Sequence, residues 1–297
     1  MNESTFLTAL RSLPLHAGAR GLADDTALLG DLVLTKDLLV EGIHFLATDP
    51  AADVAWKLVA VNLSDLAAKG AVPIGILLGY PLAGDDAWDR GFLAGLREGC
   101  EAFACPILGG DTVTANGART LSLTAIGRAT APPARSGARP GDALWVTGTI
   151  GDAAAGLAIA IGGQGPPELL AAYRRPQPRL AEGQALAPHA SAMMDVSDGL
   201  LIDAARMAQA SGCAVTIDLA PIPLSPAYAA HAGTHREARI AAATGGDDYE
   251  LLFALPPDAT SPVQATRVGS FAQGAGLSLT DAGEAVTLPP RIGYQHG

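Results

Sequence analysis

The chain has 297 residues with 19 Lys and Arg against 30 Asp and Glu, a formal net charge of −11, and its composition is 49% hydrophobic but only 16% charged. A chain of this length and apolar content buries one large core or two moderate ones, which excludes intrinsic disorder. The acid excess also argues against nucleic acid or an anionic membrane as partner, because both require clustered Lys and Arg.

The N-terminal stretch MNESTFLTALRSLPL places acid before base and has no long apolar run, so no secretory signal is expected. Apolar runs elsewhere break well before the length of a spanning helix, and the expectation is a cytoplasmic protein. Residues 32–37 (LVLTKD) and 120–127 (TLSLTAIG) predict strands, the second from its polar/apolar alternation. Residues 52–69 (ADVAWKLVAVNLSDLAAK) predict a helix. The segment APPARSGARPGD at 131–142 is rich in Pro and Gly and predicts a linker, dividing the chain into domains 1–134 and 135–297. Beyond it, ALWVTG (143–148) predicts a strand running into the helix GDAAAGLAIAI. Residues 193–212 repeat strand, turn and helix, and YELLFAL (249–255) predicts a further strand. Such alternation indicates α/β or α+β layers in both halves. Cys100, Cys105 and Cys213 are an odd set with no second pair to complete a tetrahedral zinc site, and read as buried or incidental thiols.

The aspartates are distributed unevenly. Asp24, Asp25, Asp37, Asp111, Asp195, Asp198, Asp247 and Asp248 fall at expected strand-to-loop or strand-to-helix junctions beside Gly, Ser or Thr. Each one also fits an ordinary N-cap or turn residue, and Asp198 fits the cap of a helix over 199–210. Asp65 lies inside a helix that is apolar nearly all round, on a narrow polar stripe with Asn62 and Lys69. A buried carboxylate there requires either the Lys69 ammonium one turn on or a bound cation. Carboxylates beside hydroxyls, without a Cys/His cluster, form a hard-oxygen set that suits magnesium better than zinc. Magnesium in turn implies phosphate. The chain has neither a G-x-x-x-x-G-K-[ST] loop nor a G-x-G-x-x-G turn, which leaves Gly109 and Gly110 and the Gly148 to Asp152 turn for phosphate contact.

The strings GLADDTALL, TKDLLVEGIHF, VNLSDLAAKGAVP, LGGDTV, RSGARPGD, VTGTIGDAAAGL, MDVSDGL and GGDDYELLF resemble, in order and approximate spacing, those of the thiamine-monophosphate kinases, from about residue 20 to Tyr294. The wider superfamily includes aminoimidazole ribonucleotide synthetase, selenophosphate synthetase and a hydrogenase maturation protein. EGIHF followed by NLSDLAAKGA, with GGDDYELLF, favours the kinase among them. The resemblance implies a two-domain α/β fold like that of aminoimidazole ribonucleotide synthetase. Its N-terminal mixed sheet would pair across a homodimer and its C-terminal α/β domain would complete the active site. It implies ATP-dependent phosphorylation of thiamine monophosphate to thiamine diphosphate by direct in-line transfer, with several Mg2+ ions and ATP as co-substrate.

By position, the resemblance makes Asp25, Thr35, Lys36, Asp37, Asp65, Asp111, Asp195 and Asp198 metal ligands, directly or through water, with Asp111 and Asp198 catalytic. Gly110, Asp111, Arg135 and Ser197 correspond to ATP contacts, and His44, Asp247 and Tyr294 to contacts with the thiamine phosphate. Arg135 suits phosphate as a planar fork, and equally suits a solvated linker. Lys36 stands where the family often has threonine, so either its backbone carbonyl serves the metal or its ammonium serves phosphate. Asp247 stands where many members carry Glu, one methylene longer. The competing readings are another ATP-using member of the superfamily and a non-enzymatic nucleotide-binding protein. A glycine loop without Cys counts against selenide chemistry, and the ending YQHG against a carrier with a terminal cysteine.

Overall fold

The structure, a computed structural model, describes residues 3–295. Met1, Asn2, His296 and Gly297, which belong to the terminal strings read above, lie outside the described residues. Helix α1 (Glu3–Leu10) and a short 3-10 turn lead into β1 (Ala27–Leu29) and β2 (Leu32–Val40). Then follow α2 (Ala51–Ala67), β3 (Val72–Leu82), α3 (Asp86–Ala102), β4 (Ile107–Thr114) and β5 (Thr120–Arg128). The five strands form one mixed sheet in the order β1-β2-β5-β3-β4, antiparallel except for the β3/β4 pair. Alternation along β5 buries Leu121, Leu123 and Ala125 on the face covered by α2, and turns Ser122 and Thr124 to the other face. Apolar side chains of this sheet stay uncovered: Leu38, Leu77, Ile107, Leu108 and Val113 are each 39–53% exposed.

Residues 129–142 contain no regular element. After them come β6 (Ala143–Thr147), α4 (Asp152–Ala160), α5 (Pro167–Arg174), α6 (Leu180–Leu186), β7 (Ala192–Asp195) and α7 (Leu200–Ser211). The chain ends with β8 (Ala214–Asp218), α8 (Pro226–Ala232), α9 (Arg236–Thr244), β9 (Leu251–Leu255), β10 (Ala265–Ala272), β11 (Gly276–Asp281) and β12 (Glu284–Val286). This second mixed sheet has the order β12-β11-β8-β10-β6-β9-β7. Strand β9 is buried along its whole length, which its unbroken apolar run LLFAL requires. Leu252 and Ala254 join the main core of this half, while Leu251, Phe253 and Leu255 pack with Ala67 and Ala68 at the end of α2.

Helix α2 is therefore shared. It packs on the first sheet and α3, and its far end meets α6 at Gly183, where a Cβ would lie 2.0 Å from the Ala67 carbonyl oxygen. The Trp56 indole N–H donates to Pro176 O at 2.9 Å on the same side. Neighbours on several sides explain why α2 is apolar nearly all round, as its sequence predicts. The three cysteines are free thiols, Cys105 and Cys213 buried and Cys100 half-buried. No helix among the described residues is long and apolar enough to cross a membrane.

Candidate active site

The groove between α2 and the end of β7 gathers acids from both halves of the chain. Asp25 precedes β1, Asp65 projects from α2 and Asp195 ends β7, and one carboxylate oxygen of each lies within 4.8 Å of the others. Thr35 on β2 donates its hydroxyl to Asp65, and Ser64 donates its own to Asp195 at 2.6 Å. Asn62 Oδ1 accepts the Asp37 N–H at 3.0 Å, which ties β2 to α2. The two readings left open for Asp65 separate here. Lys69 turns away from it, to Asp24 Oδ1 at 2.6 Å and Asp25 Oδ2 at 2.8 Å, and among the described residues no Lys or Arg pairs with Asp65. Arg135 reaches Asp25 as well, so it is no solvated linker side chain, and its Nε is buried without a hydrogen-bond partner.

The electrostatics follow from this uneven supply of cations. Burial pushes Asp25 up, but Lys69 and Arg135 outweigh it and hold the carboxyl at about 2. Burial and the neighbouring Asp25 push Asp37 up to about 6. Asp195 rises to about 7 through burial and then Asp25, against the Ser64 hydrogen bond. Asp65 lies well above the usual carboxylate range, from burial and then from Asp37, Asp195 and Asp25. Three carboxyls are thus raised for want of compensating charge, which a bound cation would supply. The donor set is hard oxygen with flanking hydroxyls, and it fits magnesium.

Beyond β7 the chain forms a second group. Asp203 on α7 accepts the backbone N–H groups of Ser197, Asp198 and Gly199 at 3.1, 3.0 and 3.2 Å. The N-cap of α7 is therefore Gly199 and not Asp198; Asp203 in the first turn reaches back to the preceding N–H groups while the Asp198 carboxylate pairs with Arg206. The Asp198 and Ser197 carbonyls accept the N–H groups of Tyr294 (2.9 Å) and Asp247 (2.8 Å). The Asp247 carboxylate accepts from Lys57 at 2.7 Å and from the Tyr249 hydroxyl at 3.1 Å. Lys57 on α2 also donates to His44 O at 3.2 Å and lies 4.2 Å over the Tyr173 ring. Asp247 and Tyr249 both have left-handed backbone, φ 71° and 52°, which aims this loop at α2. The pKa of the Tyr249 hydroxyl is raised by burial and then by Asp247, Asp37 and Asp195.

Two expectations fail on geometry. The turn at Gly148 to Asp152 is no open phosphate cradle: the Asp248 carboxylate fills the start of α4, accepting the Gly151 N–H at 2.9 Å. Asp111 lies inside β4 and not at a junction, because β4 runs parallel to β3 past the glycine pair. Gly110 is needed for that approach, since a Cβ would lie 1.9 Å from Leu78 O. Gly110 and Asp111 are exposed there, and Asp111 Oδ1 accepts its neighbour's Thr112 N–H. Lys36 alternates with Thr35 and Asp37 along β2 and donates to Ser122 on the face away from α2. Asp25, Thr35, Asp37, Asp65, Asp195 and Arg135 thus converge, and Ser197, Asp198, Asp247, Tyr294 and His44 join through the second group. Gly110, Asp111 and Lys36 stand on the first sheet. Lys57, Lys69, Asp203 and Tyr249 were not singled out from sequence as site residues; a lysine within an apolar helix was the available signal for the first two.

The two mixed α/β halves each match a family model: residues 23–129 match the N-terminal domain of the AIR synthase related proteins and 139–287 their C-terminal domain. The chain is 43% identical to the thiamine-monophosphate kinase of Caulobacter vibrioides, covering 96% of this chain and 88% of the relative. It is 38% identical to that of Escherichia coli K12, over 93% and 91%. It belongs to the thiamine-monophosphate kinase family. AaThiL, solved complexed with AMPPCP and TMP, superposes with a TM-score of 0.87 at 29% identity, covering 100% of this chain and 97% of that one. Thiamine-monophosphate kinase from Stenotrophomonas maltophilia K279a superposes with a TM-score of 0.78 at 35% identity, over 95% and 96%. The hydrogenase maturation protein HypE, at 20% identity and TM-score 0.70, shares the fold.

Proposed function

We propose that the chain transfers the γ-phosphoryl group of ATP to thiamine monophosphate, giving thiamine diphosphate and ADP. The observation that carries the reading is the set Asp25, Asp65 and Asp195, whose carboxylate oxygens lie within 4.8 Å of one another, with no Lys or Arg on Asp65 or Asp195 among the described residues, beside a loop whose carboxylate is held by Lys57. Relatives matched over about nine-tenths of their length carry this activity in their names, and AaThiL was solved complexed with AMPPCP and TMP.

Asp25, Asp37, Asp65 and Asp195 would hold Mg2+, with Thr35 orienting Asp65, and Asp198, Asp111 and the Lys36 backbone as outer ligands. When bound, magnesium neutralises negative charge on the phosphate oxygens. Arg135, with an unpartnered Nε, offers its fork to a phosphate, and Gly110 and Ser197 complete the nucleotide contacts. His44, Asp247 and Tyr294 position thiamine monophosphate. A phosphate oxygen of thiamine monophosphate bonds the γ-phosphorus as the bond to the ADP oxygen breaks, so the residues supply position and charge, and no side chain is phosphorylated.

The division between the halves falls at residues 134 and 135 in this reading. A homodimer forms through the uncovered face of the first sheet, which carries exposed Leu38, Leu77 and Val113. Purified protein with ATP, Mg2+ and thiamine monophosphate is expected to form thiamine diphosphate and ADP in equal amounts, with chelator abolishing the reaction. Folded protein that makes no product overturns the proposal.

A further inference from the structure

Lys69 has no place in the catalytic reading, yet it is completely buried at the edge of the acidic groove. Its ammonium has three protons and three acceptors: Asp24 Oδ1 at 2.6 Å, Asp25 Oδ2 at 2.8 Å and the Met193 carbonyl at 3.1 Å. Both carboxylates are otherwise occupied by fixed donors. Asp24 Oδ2 accepts from Arg20 at 2.6 Å and from the Arg135 N–H at 3.3 Å, and Asp25 Oδ1 accepts from the Arg135 guanidinium. Asp65 and Asp195 receive one hydroxyl each, and no salt bridge reaches Asp37 among the described residues. The groove therefore has a compensated edge and an uncompensated floor. Its five carboxylates, Asp24, Asp25, Asp37, Asp65 and Asp195, face three fixed cations, Arg20, Lys69 and Arg135. The remainder is the charge of one divalent ion.

We infer that Lys69 is a resident cation standing in place of a divalent ion between Asp24 and Asp25, so that without nucleotide the groove binds a single metal, on Asp25, Asp65 and Asp195. The inference rests on the metal-site reading above and narrows it: Asp25 becomes the bridge between Lys69, Arg135 and the bound ion. A point charge with three saturated donors is held as rigidly as a coordinated metal, and it cannot dissociate. Its bond to Met193 O also anchors the edge to the strand that delivers Asp195.

The test is a titration of chelator-treated protein with Mn2+, free ion read by electron paramagnetic resonance, together with thermal unfolding with and without Mg2+. Wild type is expected to bind one Mn2+ per chain and Lys69→Met two. The thermal midpoint that Lys69→Met loses is expected to return with saturating Mg2+, because an ion replaces the ammonium. Equal stoichiometry in the two proteins, with a deficit that Mg2+ leaves unchanged, overturns the inference and makes Lys69 a structural ion-pair partner. Lys69→Arg retains the charge and is expected to keep one site; two sites there also overturn it. Should Lys69→Met not fold, Asp24→Asn serves, since Asp24 holds Lys69 but not the ion: it is expected to keep the single site with affinity within about threefold of wild type, and loss of the site overturns the inference. Wild type that forms thiamine diphosphate but violates these counts sinks the Lys69 role alone. Wild type that binds no Mn2+ sinks the metal reading with it.

Discussion

Asp195 and Asp203 are eight residues apart, both buried, and the fold treats them in opposite ways. Asp203 receives three backbone N–H groups and the Arg206 guanidinium, which work against the rise that burial causes and leave its carboxyl at about 6. Asp195 receives one hydroxyl and faces Asp25 and Asp37. A buried carboxylate that is fully satisfied organises its own loop, whereas one left short of cations is held ready for something the chain does not contain. The same contrast separates Asp247, neutralised by Lys57, from Asp65, which has no basic partner among the described residues.

The strongest way to break this contrast is to remove charge from the undersupplied side. Asp65→Asn is expected to lower kcat by about 10²–10³-fold. It should also raise the melting temperature of the metal-free protein, since a repelling carboxyl is gone. A slower enzyme with a lower metal-free midpoint contradicts the assignment. On the satisfied side the effect should fall on stability. Asp203→Ala strands three N–H groups and leaves Arg206 with Asp198 alone, and urea unfolding is expected to show a loss of about 2–3 kcal/mol. Lys57→Met tests the balanced pair at the substrate loop. Steady-state kinetics should show KM for thiamine monophosphate rising about tenfold, with KM for ATP unchanged. Equal increases for both substrates would place Lys57 in the general architecture instead.

The smallest effect is the pH dependence. Asp37 and Asp195 rise from an ordinary 3.8 to about 6 and about 7 in the folded protein, which therefore binds more protons than the unfolded chain between those values. This stabilising contribution is complete below pH 4 and is lost as pH rises through 6 and 7. Metal-free protein is expected to melt lower at pH 8 than at pH 5.5, and saturating Mg2+ to narrow the difference. A higher midpoint at pH 8 without metal refutes the sign.

What the sequence could reveal depended on how local each signal was. Helix α2 and strands β2, β5, β6, β7 and β9 were legible because their periodicity is unbroken over the residues that pack. Strand β3 was not, because Pro73, Gly75, Gly79 and Pro81 read as turn punctuation although the backbone pairs on both sides. The glycine pair before Asp111 misled in the same way: it reads as a loop and serves as a close approach between parallel strands. The aspartates were found by composition and neighbours, but their partners were not. A spacing of four residues suggested that Lys69 would meet Asp65, while its actual partners lie 44 and 45 positions away. The role of Asp203 was invisible because it follows the turn that it holds.

The contact at Gly183 has a consequence for how accurately the groove is built. Asp65 comes from one half of the chain and Asp195 from the other, and the two halves meet there through main chain, with no room for a methyl group. Their separation therefore depends on a close backbone contact that any side chain at residue 183 would force apart. Gly183→Ala would spread the groove without altering a single charge, and so distinguishes the spacing of the acids from their number.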